Sequence, residues 1–298
     1  MLYIALHIED YLTELIRGSK LGLEDKLRAW LSLVRIGNTV IVGLAALVGY
    51  VICGGNISSH KPLLLFIAAS SIAAGTYVIN DYFDRDIDSV NKPWRPIPSG
   101  LVSAYMAYAV ALTLLCMGVA ISIIISTLSL VIAMVAAVLS YLYSWKLKRV
   151  LIVGNIVVSL SAALSIIYGG AATSNPIPAL VPALYAFLIN LGREFVKGIE
   201  DVEGDRMYRV DTLATRYGVH VAYTASLTVL LLLVAISPLP FIALSYSLLY
   251  LLIAVIGVDI PIIVALITAR RKNPESAWKA TRIMKISLLM GLIAFLFR

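Results

Sequence analysis

The chain is 298 residues long, 60% hydrophobic and 14% charged, with a mean hydropathy of +0.93. Soluble domains carry about 25% charged residues, so this composition excludes a water-soluble globular protein and points to an integral membrane protein. The net charge of +7 invites a nucleic-acid partner, but its placement along the chain, described below, argues for no nucleic acid.

Residues 1–26 carry Glu9, Asp10 and Glu14 and do not read as a signal peptide with a basic leader. Ile4, Ile8, Tyr11, Leu12, Leu15 and Ile16 recur at helical spacing, interrupted by Gly18 and Gly22. This pattern predicts an N-terminal interfacial helix on the membrane surface, with a loosely ordered terminus as the bland alternative. Residues 27–298 then form one transmembrane domain. A span needs about 20 residues to cross a hydrocarbon core about 30 Å thick. Nine runs reach that length, near 27–52, 62–83, 103–122, 125–145, 151–172, 177–200, 216–236, 241–269 and 277–297. Short links such as Ser122 to Ser126 and Ser237-Pro238-Leu239-Pro240 imply antiparallel neighbours, so the expected fold is an all-α bundle of nine transmembrane helices.

Of the 24 Lys and Arg residues, all but Lys61 and Arg298 fall on one side of this topology. The asymmetry assigns the N-terminus to the cytoplasm and makes the chain a multi-pass cell-membrane protein. It also accounts for the net charge, with a basic face turned to anionic lipid. Trp30, Trp94, Trp145 and Trp278 lie near the same span ends and fit an interfacial aromatic belt better than a ligand cage. Cys53 and Cys116 sit in apolar segments without partner spacing and read as small buried residues. His7, His60 and His220 are scattered and form no ligand cluster.

The second run ends in Asn80-Asp81-Tyr82-Phe83-Asp84-Arg85-Asp86-Ile87-Asp88. On a helix, residues four apart share a face and rise about 6 Å, so Asn80, Asp84 and Asp88 form one stripe with Asp81 beside it. Asp201 and Asp205 repeat the spacing after the sixth run, and an offset of 117 carries Asp84 and Asp88 onto them. The same offset carries Gly37-Asn38 onto Gly154-Asn155 and Asn80 onto Lys197. Two parallel four-helix repeats plus one helix, around a central cavity, follow from this register and the topology. A solvated acidic loop neutralised by neighbouring arginines would not need the duplicated spacing.

Two carboxylate clusters that meet in space suit Mg²⁺, which favours a few carboxylates completed by water and phosphate oxygens. Cations on the same side supply the complement: Arg35 with Asn38, Lys92, Arg95, Lys146, Lys148, Arg193 and Lys197. Together they describe a diphosphate site, and the membrane makes the rest of the ligand a lipid chain. Any one of these cations alone can equally serve topology or headgroup contact. Arg35, Arg193 and Lys197 lie within span boundaries, where an unpaired charge is costly, and Glu194 is the expected partner there. Asp259, two residues before Pro261, either lines the cavity or pairs within the bundle.

These residues resemble the UbiA superfamily of intramembrane prenyltransferases. Asn80, Asp81, Asp84 and Asp88 meet its first motif, Asn-Asp-x-x-Asp-x-x-x-Asp, and Asp201 and Asp205 its second, Asp-x-x-x-Asp. The resemblance implies that the two motifs face each other across a central cavity and hold Mg²⁺ on an isoprenyl diphosphate, with a side opening to lipid. It implies metal ligation by Asn80, Asp84, Asp201 and Asp205, with Asp81 and Asp88 supporting, and catalytic roles for Asp81, Asp84 and Asp201. Within the superfamily, Tyr143-Ser144-x-x-Leu147-Lys148-Arg149, the stretch from Arg193 to Asp205 and the ending from Asn273 are similar to the archaeal digeranylgeranylglyceryl phosphate synthase branch. That likeness implies transfer of a geranylgeranyl group from its diphosphate to a glycerol hydroxyl of geranylgeranylglyceryl phosphate, in ether-lipid biosynthesis. The expected partners are the isoprenyl diphosphate donor, a lipid-like acceptor and the bilayer, with no obligatory protein partner. The mechanism expected is dissociative, through an allylic cation, with Asp81 or the departing diphosphate taking the acceptor proton. An aromatic acceptor, as in quinone biosynthesis, is the alternative. A transporter or an isoprenoid-binding protein is the more distant one.

Overall fold

The structure, a computed structural model, describes residues 22–208 and 210–298. The surface helix expected over residues 1–26 lies outside the described residues except for its last few positions, and so does Arg209. All regular elements among the described residues are helical.

Helix α1 (Leu23–Leu33) leads into α2 (Ile36–Ile52) through a 49° bend. The bend falls at Arg35, whose φ of 49° is left-handed, a conformation that costs an L-residue about 1–2 kcal/mol. Helix α3 (Lys61–Phe83) opens with a proline in its first turn, where the missing N–H is harmless, and is followed by the short α4 (Arg85–Asn91). Helices α5 (Ala104–Ile125) and α6 (Thr127–Trp145) share Ser126, which ends one and caps the other by accepting from the Ser129 N–H at 3.0 Å. That tight reversal makes them antiparallel neighbours. A 3₁₀ turn (Leu147–Arg149) precedes α7 (Val153–Gly170), and a second (Ile177–Ala179) leads into α8 (Leu180–Glu200).

Beyond α8 come the short α9 (Val202–Met207) and α10 (Leu213–Arg216), then α11 (Val219–Ile236) and α12 (Leu239–Ala243). Helix α13 (Leu248–Ile253) continues through a π-helical stretch (Ala254–Asp259) into α14 (Ile260–Ala269). The last helix, α15 (Pro274–Ala294), starts at a capping box in which Asn273 and Ser276 satisfy each other's backbone N–H. Among the described residues seven helical stretches are long and apolar enough to cross a membrane, and α1 with α2 makes an eighth if read as one bent span. The expected ninth, α15, has the length, 21 residues, but carries Glu275, Lys279, Arg282 and Lys285. Large apolar side chains such as Ile124, Ile242 and Ile267 are exposed on the outside, as lipid-solvated helices require.

Two details position the site. Helices α3 and α8 each break at the first aspartate of a repeated pair: Asp84 has φ −90° and ψ −2°, Asp201 φ −92° and ψ 3°. Backbone bonds still run from Asp88 N–H to Asp84 C=O and from Asp205 N–H to Asp201 C=O, so each pair stays on one face across its break. The other detail is the crossing of α2 and α7 in backbone contact. A Cβ on Gly49 would lie 1.9 Å from the Ile166 carbonyl oxygen, and one on Gly169 would lie 1.8 Å from that of Ala46.

Gly49→Ala and Gly169→Ala are therefore expected to cost about 1–3 kcal/mol each through forced separation of α2 and α7. Gly37→Ala, which meets nothing within 4 Å, should be neutral or stabilise α2 by up to about 1 kcal/mol. Thermal unfolding of the three variants in detergent checks the contrast; equal behaviour would mean that the crossing is not held by backbone contact.

Candidate active site

A single cavity of about 840 Å³ receives the ends of α2, α3, α7 and α8. Asn80 and Asp84 reach it from the end of α3 and Asp88 from α4, while Asp201 and Asp205 reach it across the break between α8 and α9. The two acidic motifs, 117 residues apart in sequence, thus line one chamber. Arg35 and Asn38 enter it at the start of α2, Lys92 and Arg95 from the loop after α4, Lys148 from the 3₁₀ turn, and Arg193 and Lys197 from α8.

Carboxylates and cations interleave on the first wall. Asp84 accepts a hydrogen bond from the Asn80 amide at 2.9 Å through Oδ2 and from the Lys148 ammonium through Oδ1. Asp88, 4% exposed, accepts from Arg95 Nη1 at 2.5 Å. On the second wall Lys197 pairs with Asp201 at 3.4 Å, one turn along the same helix. Arg193 pairs with Glu194 at 3.1 Å, the partnership that the depth of the arginine demands.

Asp81 and Lys146 stand apart from the other expected residues. Asp81 is 5% exposed and lies behind the cavity wall, where its Oδ1 accepts from Arg35 Nη2 at 2.7 Å and from Arg95 Nη1 at 3.2 Å. Lys146 does not line the cavity; it is exposed, with its ammonium 6.0 Å from the Trp145 ring. Asp259 pairs within the bundle: its Oδ2 accepts from Ser237 Oγ at 2.6 Å. Sequence reasoning missed Tyr77, Asn190 and Lys285 as cavity residues. Tyr77 carries the Arg35 guanidinium 5.0 Å over its ring. Its spacing three residues before Asn80 was the available signal, whereas Lys285 had been counted only as a topology-setting charge.

Asn80, Asp84, Asp88, Asp201 and Asp205 offer only hard oxygen donors, the set that Mg²⁺ prefers. Among the described residues no three acids, histidines or cysteines stand close enough to enclose an ion unaided. A cation held by part of the oxygen set would be completed by water and phosphate oxygens. The local field fits as well. Burial pushes the Asp205 carboxyl up from 3.8 to about 6, and the charges of Asp201 and Asp84 add to the effect. Burial also raises Asp88, against the pull of Arg95.

Carboxylates at two helix ends, cations among them and apolar wall behind define the class, a multi-helix membrane protein with a charged site opening into an apolar chamber. The profile of the UbiA prenyltransferase family matches residues 42–289, and the chain belongs to that family. A digeranylgeranylglyceryl phosphate synthase from Saccharolobus solfataricus is 40% identical over 274 residues, covering 91% of this chain and 96% of the relative. A solved structure described as giving structural and mechanistic insights into digeranylgeranylglyceryl phosphate synthase in membranes is 34% identical. It superposes with a TM-score of 0.74 over 91% of this chain and 97% of that one. A UbiA homologue from Archaeoglobus fulgidus, solved bound to GPP and Mg²⁺, shares the fold at 16% identity, with a TM-score of 0.64 over 90% of this chain and 99% of that one.

The raised Asp205 carboxyl sets a pH dependence. Its folded value lies above its unfolded one, so the stability it contributes is fully present below 3.8 and is lost as the pH rises through about 6. In the presence of a chelator, thermal stability is expected to fall across that window in the wild type and to fall less in Asp205→Asn. A pH profile identical in the two proteins would show that Asp205 is not held in this field.

Proposed function

We propose that the chain transfers a geranylgeranyl group from geranylgeranyl diphosphate to the glycerol hydroxyl of geranylgeranylglyceryl phosphate. The observation that carries the chemistry is the convergence of both acidic motifs and four cations, Lys92, Arg95, Lys148 and Lys197, on one chamber that runs on into apolar wall. The relatives that share about 40% of its residues over nearly its whole length supply the acceptor.

Asn80, Asp84, Asp88, Asp201 and Asp205 would hold Mg²⁺, which when bound neutralises the diphosphate and makes it a better leaving group. The chain's own residues do the rest. Lys92, Arg95, Lys148 and Lys197 stabilise the negative charge that grows as the bond between C1 and oxygen breaks, and such preorganised charge carries most of the rate in a site of this kind. The apolar wall of Ile72, Ala73, Ile132 and Val158 excludes water from the allylic cation left behind. The acceptor hydroxyl attacks C1 and releases its proton to the departing diphosphate. Asp81, committed to two guanidinium groups, keeps Arg35 and Arg95 in place and is a poor base and a poor metal ligand.

The reading extends to topology. Helix α15 makes the ninth span, and residues 27–298 form one domain of two parallel four-helix repeats plus that helix. The offset of 117 carries Arg35 onto Ile152, and these are the left-handed residues that open α2 and α7. It also carries the helix break at Asp84 onto the break at Asp201. The basic ends of the helices, with the exposed Trp94, Trp145 and Trp278, face the cytoplasm.

Asp84→Ala and Asp201→Ala should each lower transfer by roughly 10²–10³-fold or more while leaving extractable, folded protein. Radiolabelled geranylgeranyl diphosphate offered with geranylgeranylglyceryl phosphate or with 4-hydroxybenzoate reads both activity and acceptor. Product from the aromatic acid alone would sink the lipid acceptor, and near-wild-type activity of either variant would sink the metal site.

A further inference from the structure

The chamber carries a second group of cations, one helical turn away from the acidic motifs. Arg193 precedes Lys197 by one turn on α8, and the Arg35 guanidinium lies over Tyr77, one turn before Asp81 on α3. Lys285 joins them from α15, which packs on α8. It lies eleven residues past the start of that helix, about 16 Å along the axis.

Arg35 has Asp81 and Arg193 has Glu194, but among the described residues Lys285 has no acid partner. The charges that bear on it most are Arg193, Arg35 and Arg282, all of its own sign. Arg193 also keeps a buried Nε–H without an acceptor. Lys285 is exposed where it lines the chamber, so a ligand anion can reach it and supply the counter-ion that a charge within a span calls for.

The wall beyond these cations states what the anion is attached to. On α15, Lys285 is followed at helical spacing by Leu288 and Leu292, which line the same cavity, and Phe295 closes the stripe. On α8, Arg193 gives way to Ile189 and Ala186 in the same manner. A compact anionic head with an apolar chain fits this surface. The donor's diphosphate belongs with the other cations, because those alternate with the carboxylates of the two acidic motifs. Among the described residues Lys285 makes no ion pair, and Glu200, the carboxylate met one turn away on its helix face, accepts from Thr281 at 3.0 Å. An anion bound there is held by protein cations alone, as suits a phosphate monoester.

We propose that Lys285 and Arg193, with Arg35 beside them, hold the phosphate monoester head of the acceptor lipid at a subsite separate from the donor's diphosphate. This rests on the glyceryl phosphate acceptor inferred above. It gives each substrate of a two-substrate reaction its own anion site in one chamber.

The test uses the full chain in detergent, with wild type, Lys285→Met and Lys285→Arg. Kinetics are measured with geranylgeranylglyceryl phosphate and with its dephosphorylated counterpart, and direct binding of both lipids is measured without donor. In Lys285→Met the KM for the phosphorylated acceptor should rise roughly tenfold or more, the size of one charge-assisted hydrogen bond. The donor KM should change less than about twofold, the preference for the phosphorylated over the dephosphorylated lipid should collapse, and Lys285→Arg should restore most of it. A rise in donor KM alone, or unchanged acceptor kinetics in an active enzyme, overturns the subsite and leaves the function standing. A wild type that transfers to neither lipid but binds the phosphorylated one in a Lys285-dependent way overturns the function and keeps the subsite. Absence of both transfer and Lys285-dependent binding overturns the two together.

Discussion

The carboxylate of Asp81 is the constraint on which the site depends. One oxygen of a side chain that is only 5% exposed accepts hydrogen bonds from Arg35, at the bend between α1 and α2, and from Arg95, in the loop after α4. Arg95 reaches on to Asp88. Three segments of the first half of the chain are thereby tied to one buried atom. Breaking one member of such a network leaves a charge without its partner in a medium that solvates it badly, so removal costs far more than the pair contributes over an apolar substitute. The left-handed backbone at Arg35 belongs to the same network: its conformational cost of about 1–2 kcal/mol is offset by a guanidinium placed on both Asp81 and the Tyr77 ring.

The chamber itself follows from the packing of α2 against α7. At one end Gly49 and Gly169 let the two backbones touch. Eleven residues before Gly49 on α2 and fourteen before Gly169 on α7, Asn38 and Asn155 both line the cavity. The same helix pair thus carries a close backbone contact towards one end and cavity-lining polar side chains towards the other. The same glycines that are unfavourable in a helix on propensity grounds are what the backbone contact requires. Close packing of small residues is also how helices associate where no hydrophobic force acts between them.

Much of this was legible in the sequence because the information was local or repeated. Hydropathy located the long helices. The i, i+4 spacing of Asn80, Asp84 and Asp88, and its copy at Asp201 and Asp205, announced an acidic face that survives the helix breaks. Pairing across helices was not legible. Spacing assigns Lys285 to a face of α15 but says nothing of which face of α8 it meets, so it read as one more cation on the basic side. Asp81 has the residue type of a ligand and the position of a buried counter-ion, and only the arrangement of Arg35 and Arg95 around it separates the two. Lys146 and Lys148 are two residues apart, yet the 3₁₀ turn sends one outward beside Trp145 and the other to Asp84.

The two walls of the site differ in kind. Where the first wall has Asn80, the second has Lys197, so Asp201 carries its cation one turn away on its own helix. Asp84 instead receives Lys148 from the turn between α6 and α7, and its other oxygen takes the Asn80 amide. A neutral amide orients a carboxylate without lowering its charge, whereas a lysine on the same helix offsets it. The Lys148 ammonium is mobile on a four-carbon stem and binds as a point charge, so it can turn from Asp84 to a phosphate oxygen nearby without moving the backbone. The first wall therefore pairs its carboxylate with a lysine from another segment, and the second with a lysine of its own helix. Lys197 stands where the spacing of the first motif has Asn80, and that difference sets the two walls apart.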